Sequence, residues 1–113
     1  MEETGAEKEE IKARVLSAND LVGYQEGSVV SREIVSGNAG TVSVFAFDEG
    51  EGLSEHTAPF DALVHVLDGE VEVTIAGNPL HLGEGEIVIM PAGRPHSLKA
   101  LSRFKMVLTL IKR

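Results

Sequence analysis

A chain of 113 residues with 42% apolar content is sized for one folded domain with a single core, and its apolar runs are too short to span a membrane. With 18 acidic against 10 basic residues the formal net charge is −8, which opposes binding to nucleic-acid phosphates. Cysteine is absent, so disulfides, thiolate metal sites and cysteine nucleophiles are excluded.

Residues 1–10 are polar and acidic and are expected to form a flexible N-terminus, with one domain over 11–113. The opening Met-Glu-Glu-Thr-Gly has no basic stretch followed by an apolar one, so a cytoplasmic location is expected. Ile11 to Leu16 is too short a pattern to choose between a strand and a helical turn. Ser17-Ala18-Asn19-Asp20 reads as a turn or helix cap. Ser28 to Val35 is rich in β-branched residues and runs into Gly37-Asn38-Ala39-Gly40, a hairpin signal. Thr41 to Phe47 then alternates with apolar residues on both faces, as in a strand covered on both sides.

An acidic glycine-rich loop, Asp48 to Gly52, comes next. Leu63 to Leu67 is apolar apart from His65, and Asp68-Gly69 reads as a hairpin turn. Glu70 to Ile75 alternates with Val71, Val73 and Ile75 inward, Ala76 to Pro79 turns, and Leu80 to Leu82 forms a short strand. Glu86 to Met90 reads as a buried strand, broken sharply by Pro91, Gly93 and Pro95 before His96. Arg103 to Ile111 alternates with Phe104, Met106, Leu108 and Leu110 on one face. Many short strands with almost no helix mean an all-β sandwich or barrel.

Gly85, Pro91, Gly93 and His96 are spaced as in the second signature motif of the cupin superfamily, which this stretch resembles; the Asn that ends that motif is Ala100 here. Gly50, His56 and Gly69 fall in register with the first motif, whose second His would be Ala58 and whose Glu would be Ala62. The short interval from Gly69 to Gly85 is similar to that of the smallest cupins. The resemblance implies a double-stranded β-helix, or jelly roll, with a pocket at one mouth. It also implies that His56, Ala58, Ala62 and His96 face that pocket.

Metal-binding members of the superfamily hold iron, manganese, nickel or zinc with two His and one Glu from the first motif and one His from the second. Of that set only His56 and His96 are present, and two imidazoles alone hold a divalent ion weakly. Alternation puts Ala62, Val64 and Val66 inward and Asp61, Leu63 and His65 outward. A bulge near Pro59 would be needed to bring His65 inward as a further ligand, with Asp61 a weaker candidate. His81, between Leu80 and Leu82, reads as structural or surface. Arg94 is either a solvated charge or a contact for an anionic ligand at the pocket mouth.

Two functions compete. One is a barrel pocket that binds a small-molecule ligand, with any divalent metal held at His56 and His96; replacement of two ligand positions by alanine favours it. The other is a metal-dependent enzyme of isomerase, oxygenase or decarboxylase type, with the same residues holding the ion. A homodimer is expected with either, because apolar outer positions such as Phe45, Phe47, Leu63 and Leu67 need covering.

Overall fold

The computed structural model describes residues 10–112, so the expected acidic terminus lies almost wholly outside the described residues. Residues 11–16 form turns and no strand, and a 3-10 helix follows at Ala18–Asp20. The strands are β1 Val29–Gly37, β2 Gly40–Phe47, β3 Gly52–His56, β4 Asp61–Asp68 and β5 Val71–Ile75. They continue with β6 Asn78–Leu82, β7 Ile87–Met90, β8 His96–Ala100 and β9 Phe104–Ile111.

They form a five-stranded sheet in the order β1-β2-β9-β4-β7 and a four-stranded sheet in the order β3-β8-β5-β6. All pairs are antiparallel. The two sheets enclose the core of a jelly-roll barrel. Its packed end is built on Phe47 and Phe104, stacked with centroids 4.5 Å apart, and on Val64, Val66, Val71, Val73 and Met106. Inward alternation predicts this correctly for β4, β5 and β9, because each contributes every second residue to that cluster.

Three sequence expectations need correction. Asp68-Gly69 turns the chain, but β4 and β5 do not pair; the turn carries it from one sheet to the other. Gly69 has φ +75°, and a Cβ there would sit 1.9 Å from the Arg103 carbonyl oxygen, so only glycine fits this crossing. The strand expected to be buried at Glu86–Met90 is an edge: Ile87 and Ile89 are 60% and 59% exposed, and of β7 only Met90 is fully buried. Phe45 and Phe47, assigned to an outer face, point into the barrel.

The outer face of β2 is the one carrying Val44 and Ala46. They pack with Val22 and, around it, Leu21, Tyr24, Val30, Leu67 and Val107. The N-terminal arm is thus folded over one end of the larger sheet. Tyr24 clasps it there: its hydroxyl donates to the Asp68 carboxylate, and the Arg103 and Lys105 cations lie 5.3 and 4.9 Å from its ring centroid. Lys105 also donates to the Asn19 carbonyl at 2.7 Å. Desolvation, then the Asp68 contact, drives the phenol pKa well up, so the ring keeps its proton.

Candidate functional site

At the end opposite the packed aromatics the barrel keeps a cavity of about 180 Å³. Its lining comes from both sheets: Leu53, Ala58, Phe60, Ala62, Met90, Leu98, Met106, Leu108 and Leu110, with His56 and His96. Only the two histidines among these carry polar side chains.

Each histidine is placed by a different device. His96 opens β8 directly after the Pro91–Pro95 turn, and that turn is pinned from three directions. Ala92 N–H donates to the Asp61 carboxylate at 2.8 Å, Gly93 N–H to the Ala58 carbonyl at 2.9 Å, and Ala76 N–H to the Pro95 carbonyl at 2.8 Å. Asp61 therefore serves as the anchor of the loop that presents His96. The motif glycines Gly50, Gly69, Gly85 and Gly93 all have positive φ, which gives a backbone reason for their spacing.

His56 ends β3 and depends on a bulge. Leu53 pairs with Leu98 and His56 with His96, so two residues on β3, Ser54 and Glu55, oppose the single Ser97 on β8. In a regular strand residues three apart face opposite ways. The extra residue reverses that parity, so Leu53 and His56 both line the cavity. Sequence spacing located the histidine but carried no sign of this bulge, which lies in β3 and not near Pro59.

The imidazoles meet edge to face, with centroids 4.5 Å apart and Nε2 atoms 3.2 Å apart. His56 Nδ1 lies 2.8 Å from the Ser54 carbonyl oxygen and His96 Nδ1 lies 3.2 Å from that of Arg94. A carbonyl only accepts, so each Nδ1 carries the proton and, in the neutral ring, each Nε2 presents a lone pair. His96 is 3% exposed, whereas His56 stands at the open side. Burial, and then the neighbouring His56, hold the His96 pKa below the ordinary histidine value, with the Arg94 carbonyl opposing in part.

The other sequence candidates lie elsewhere. Ala62 is buried and Ala58 half-buried, and both line the cavity as expected. His65 is exposed on the outer face, opposite Ile87 and Val107, because β4 keeps strict alternation across Ala62, Val64 and Val66. It does not join His56 and His96. His81 lies at the surface, 3.1 Å from the Glu70 carboxylate, as its flanking residues suggested. Arg94 is exposed and does not line the cavity.

The cupin domain family pattern, Cupin_2, matches residues 43–112. Among solved structures, a conserved protein of unknown function from Streptococcus pyogenes is 35% identical with a TM-score of 0.85, over 89% of each chain. A cupin 2 conserved barrel domain protein from Leptotrichia buccalis is 40% identical with a TM-score of 0.80; the match covers 83% of this chain and 46% of that one. A cupin superfamily protein from Desulfitobacterium hafniense is 26% identical with a TM-score of 0.85, over 90% and 94%. No curated protein matches the chain. Two sheets closed on one core, glycine turns at the motif positions and a pattern match over more than half the sequence agree: the chain belongs to the cupin superfamily, as a small jelly-roll barrel.

Proposed function

We propose that the barrel cavity binds a small, largely apolar molecule whose polar head lies against His56 and His96. The observation that carries this is the lining: apolar side chains on every side except for one pair of converging imidazole nitrogens. A cavity of about 150 Å³ lined by aliphatic and aromatic residues admits benzene. At about 180 Å³ this one suits a body of similar or slightly larger size. The test is a thermal-shift and NMR screen of ring-sized apolar compounds, with expected shifts confined to Met90, Met106 and the two histidines. Ligand-induced shifts on the outer face of the larger sheet instead would refute it.

Metal-dependent catalysis is the second reading, and geometry favours it in two respects. Nitrogens 3.2 Å apart subtend about 103° at a zinc ion ~2.05 Å from each, close to tetrahedral. Their Nδ1 atoms already donate to carbonyls, as metal-bound imidazoles do. The number of donors does not fit: among the described residues no three His, Cys, Asp or Glu side chains cluster for an ion, and Ala58 and Ala62 bring none. An ion at His56 and His96 would need its remaining donors from the bound molecule, whose carbonyl or hydroxyl it would polarise. Metal analysis of protein purified without chelator or histidine tag decides this: stoichiometric metal lost in His96→Ala would put the second reading first.

A homodimer through the outer face of the larger sheet completes the proposal, and a second copy is the occupant that fits. Ile87 and Ile89 protrude at the β7 edge. Toward the β1 edge a shallow groove is lined by Val35, Val42, Thr109 and Ile111. A two-fold axis running along the central strand β9 sets each copy's ridge over the other's groove. Sedimentation should show a dimer, and Ile89→Glu a folded monomer; a wild-type monomer at high concentration would refute it.

A further inference from the structure

The hydrogen-bond inventory of the cavity selects the chemistry of the head. We propose that the site takes a primary amine, in its ammonium form, carried on an apolar body of roughly benzyl size. This rests on the cavity being a ligand site, and goes beyond it by specifying the charge and donor character of the ligand.

With Nδ1 of both rings committed to the Ser54 and Arg94 carbonyls, the neutral pair offers two lone pairs and no donor. Those lone pairs face each other at 3.2 Å, and no other lining side chain can donate to or accept from either. Two acceptors held at that distance repel until something with N–H or positive charge lies between or beside them. A carboxylate brings only more lone pairs, and Arg94, the nearby cation in sequence, does not line the cavity. A hydroxyl has one hydrogen and satisfies one nitrogen. An ammonium has three, so it can donate to both Nε2 atoms at about 2.9 Å while the third N–H points out past His56 to water.

The experiment uses three probes of nearly one shape: benzylamine, benzoate and toluene. Each is titrated at pH 8, where imidazoles are ordinarily neutral, with EDTA present to remove adventitious ions, into the whole protein and into His56→Leu. Binding is read by calorimetry and by the histidine and methionine NMR signals. The expected result is benzylamine at least tenfold tighter than toluene, with benzoate weakest. His56→Leu should lose the preference for the amine, so that toluene binds it at least as tightly as benzylamine does. Toluene binding as tightly as benzylamine, or benzoate binding more tightly, would overturn the donor assignment and leave the cavity a ligand site. No binding by any of the three would remove both.

Discussion

Filling the cavity from Ala62 separates the barrel's stability from its proposed use. Ala62 is 1% exposed, sits on β4 beside Leu110 and Met90, and lines the cavity. Ala62→Leu adds three carbons to a space of about 180 Å³. Burying them contributes about 2.4 kcal/mol at ~0.8 kcal/mol per carbon, and fixing the leucine rotamer costs about 0.5–1 kcal/mol. The net is a stabilisation of about 1.5 kcal/mol, an upper figure because the unfolded chain already buries some of that surface. For a domain of this size it corresponds to a rise in Tm of about 6 °C. Urea unfolding measures the free energy, scanning calorimetry the Tm, and the same protein is titrated with benzylamine. Stability should rise while binding falls at least tenfold, the pattern of a site kept open at the expense of packing. Destabilisation by 1 kcal/mol or more would mean that the side chains already close the space in solution, and the reasoning from cavity to ligand would fail.

Gly69→Ala should destabilise by about 3 kcal/mol or more, since it combines a positive φ with a Cβ driven into the Arg103 carbonyl; urea unfolding with less than 1 kcal/mol lost would contradict the crossing geometry. Ala76, at φ +49° beside Gly77 at φ +80°, occupies a two-residue hairpin turn that asparagine prefers, so Ala76→Asn should stabilise by about 0.5 kcal/mol, seen as a higher urea midpoint at unchanged m. His96 has a folded pKa below its unfolded value, so its contribution is fully present above about pH 6.5 and is lost as pH falls through the folded pKa, where the unfolded chain binds the proton first. Stability of metal-free protein should therefore decline on acidification from about pH 6.5, and His96→Phe should flatten that part of the profile; an identical slope in both would refute the assignment. Tyr24→Phe removes a hydroxyl bonded to the Asp68 carboxylate and should cost about 1.5–2 kcal/mol, with faster amide exchange at Leu21 and Val22.

Most of the barrel was legible because its turns are spelled in residues with few backbone options. Gly50, Gly69, Gly85 and Gly93 occupy positive φ, and Pro91 and Pro95 stop β7 and start β8, so an all-β barrel could be read from the turns, while the jelly roll came from the resemblance to cupins that their spacing carries. Partners of strands were less legible. Asp68-Gly69 has hairpin chemistry, yet turn residues report local bending and not which sheet the next strand enters. The apolar run of β7 reads as buried, yet β7 is a sheet edge with no further strand beside it among the described residues, and strand order is not visible in a local run. On β2 both faces are apolar, and only the arm around Val22 and Tyr24 reveals which is the inside. His56 and His96 were found by motif register, but the meeting of their Nε2 atoms was not, since the bulge opposite Ser97 leaves no mark in composition.

That bulge also bears on how the protein can change over time. Removing one residue from Ser54–Glu55 would restore regular pairing with β8 and leave Leu53 and His56 two apart on one face, so His56 would still pair with His96 and point inward. The packed aromatics at the far end, and the sheet that the N-terminal arm covers, would not register the change either. The segment leading into His56 can therefore lose a residue, by a three-base deletion in the gene, without moving the histidine pair or renegotiating the scaffold.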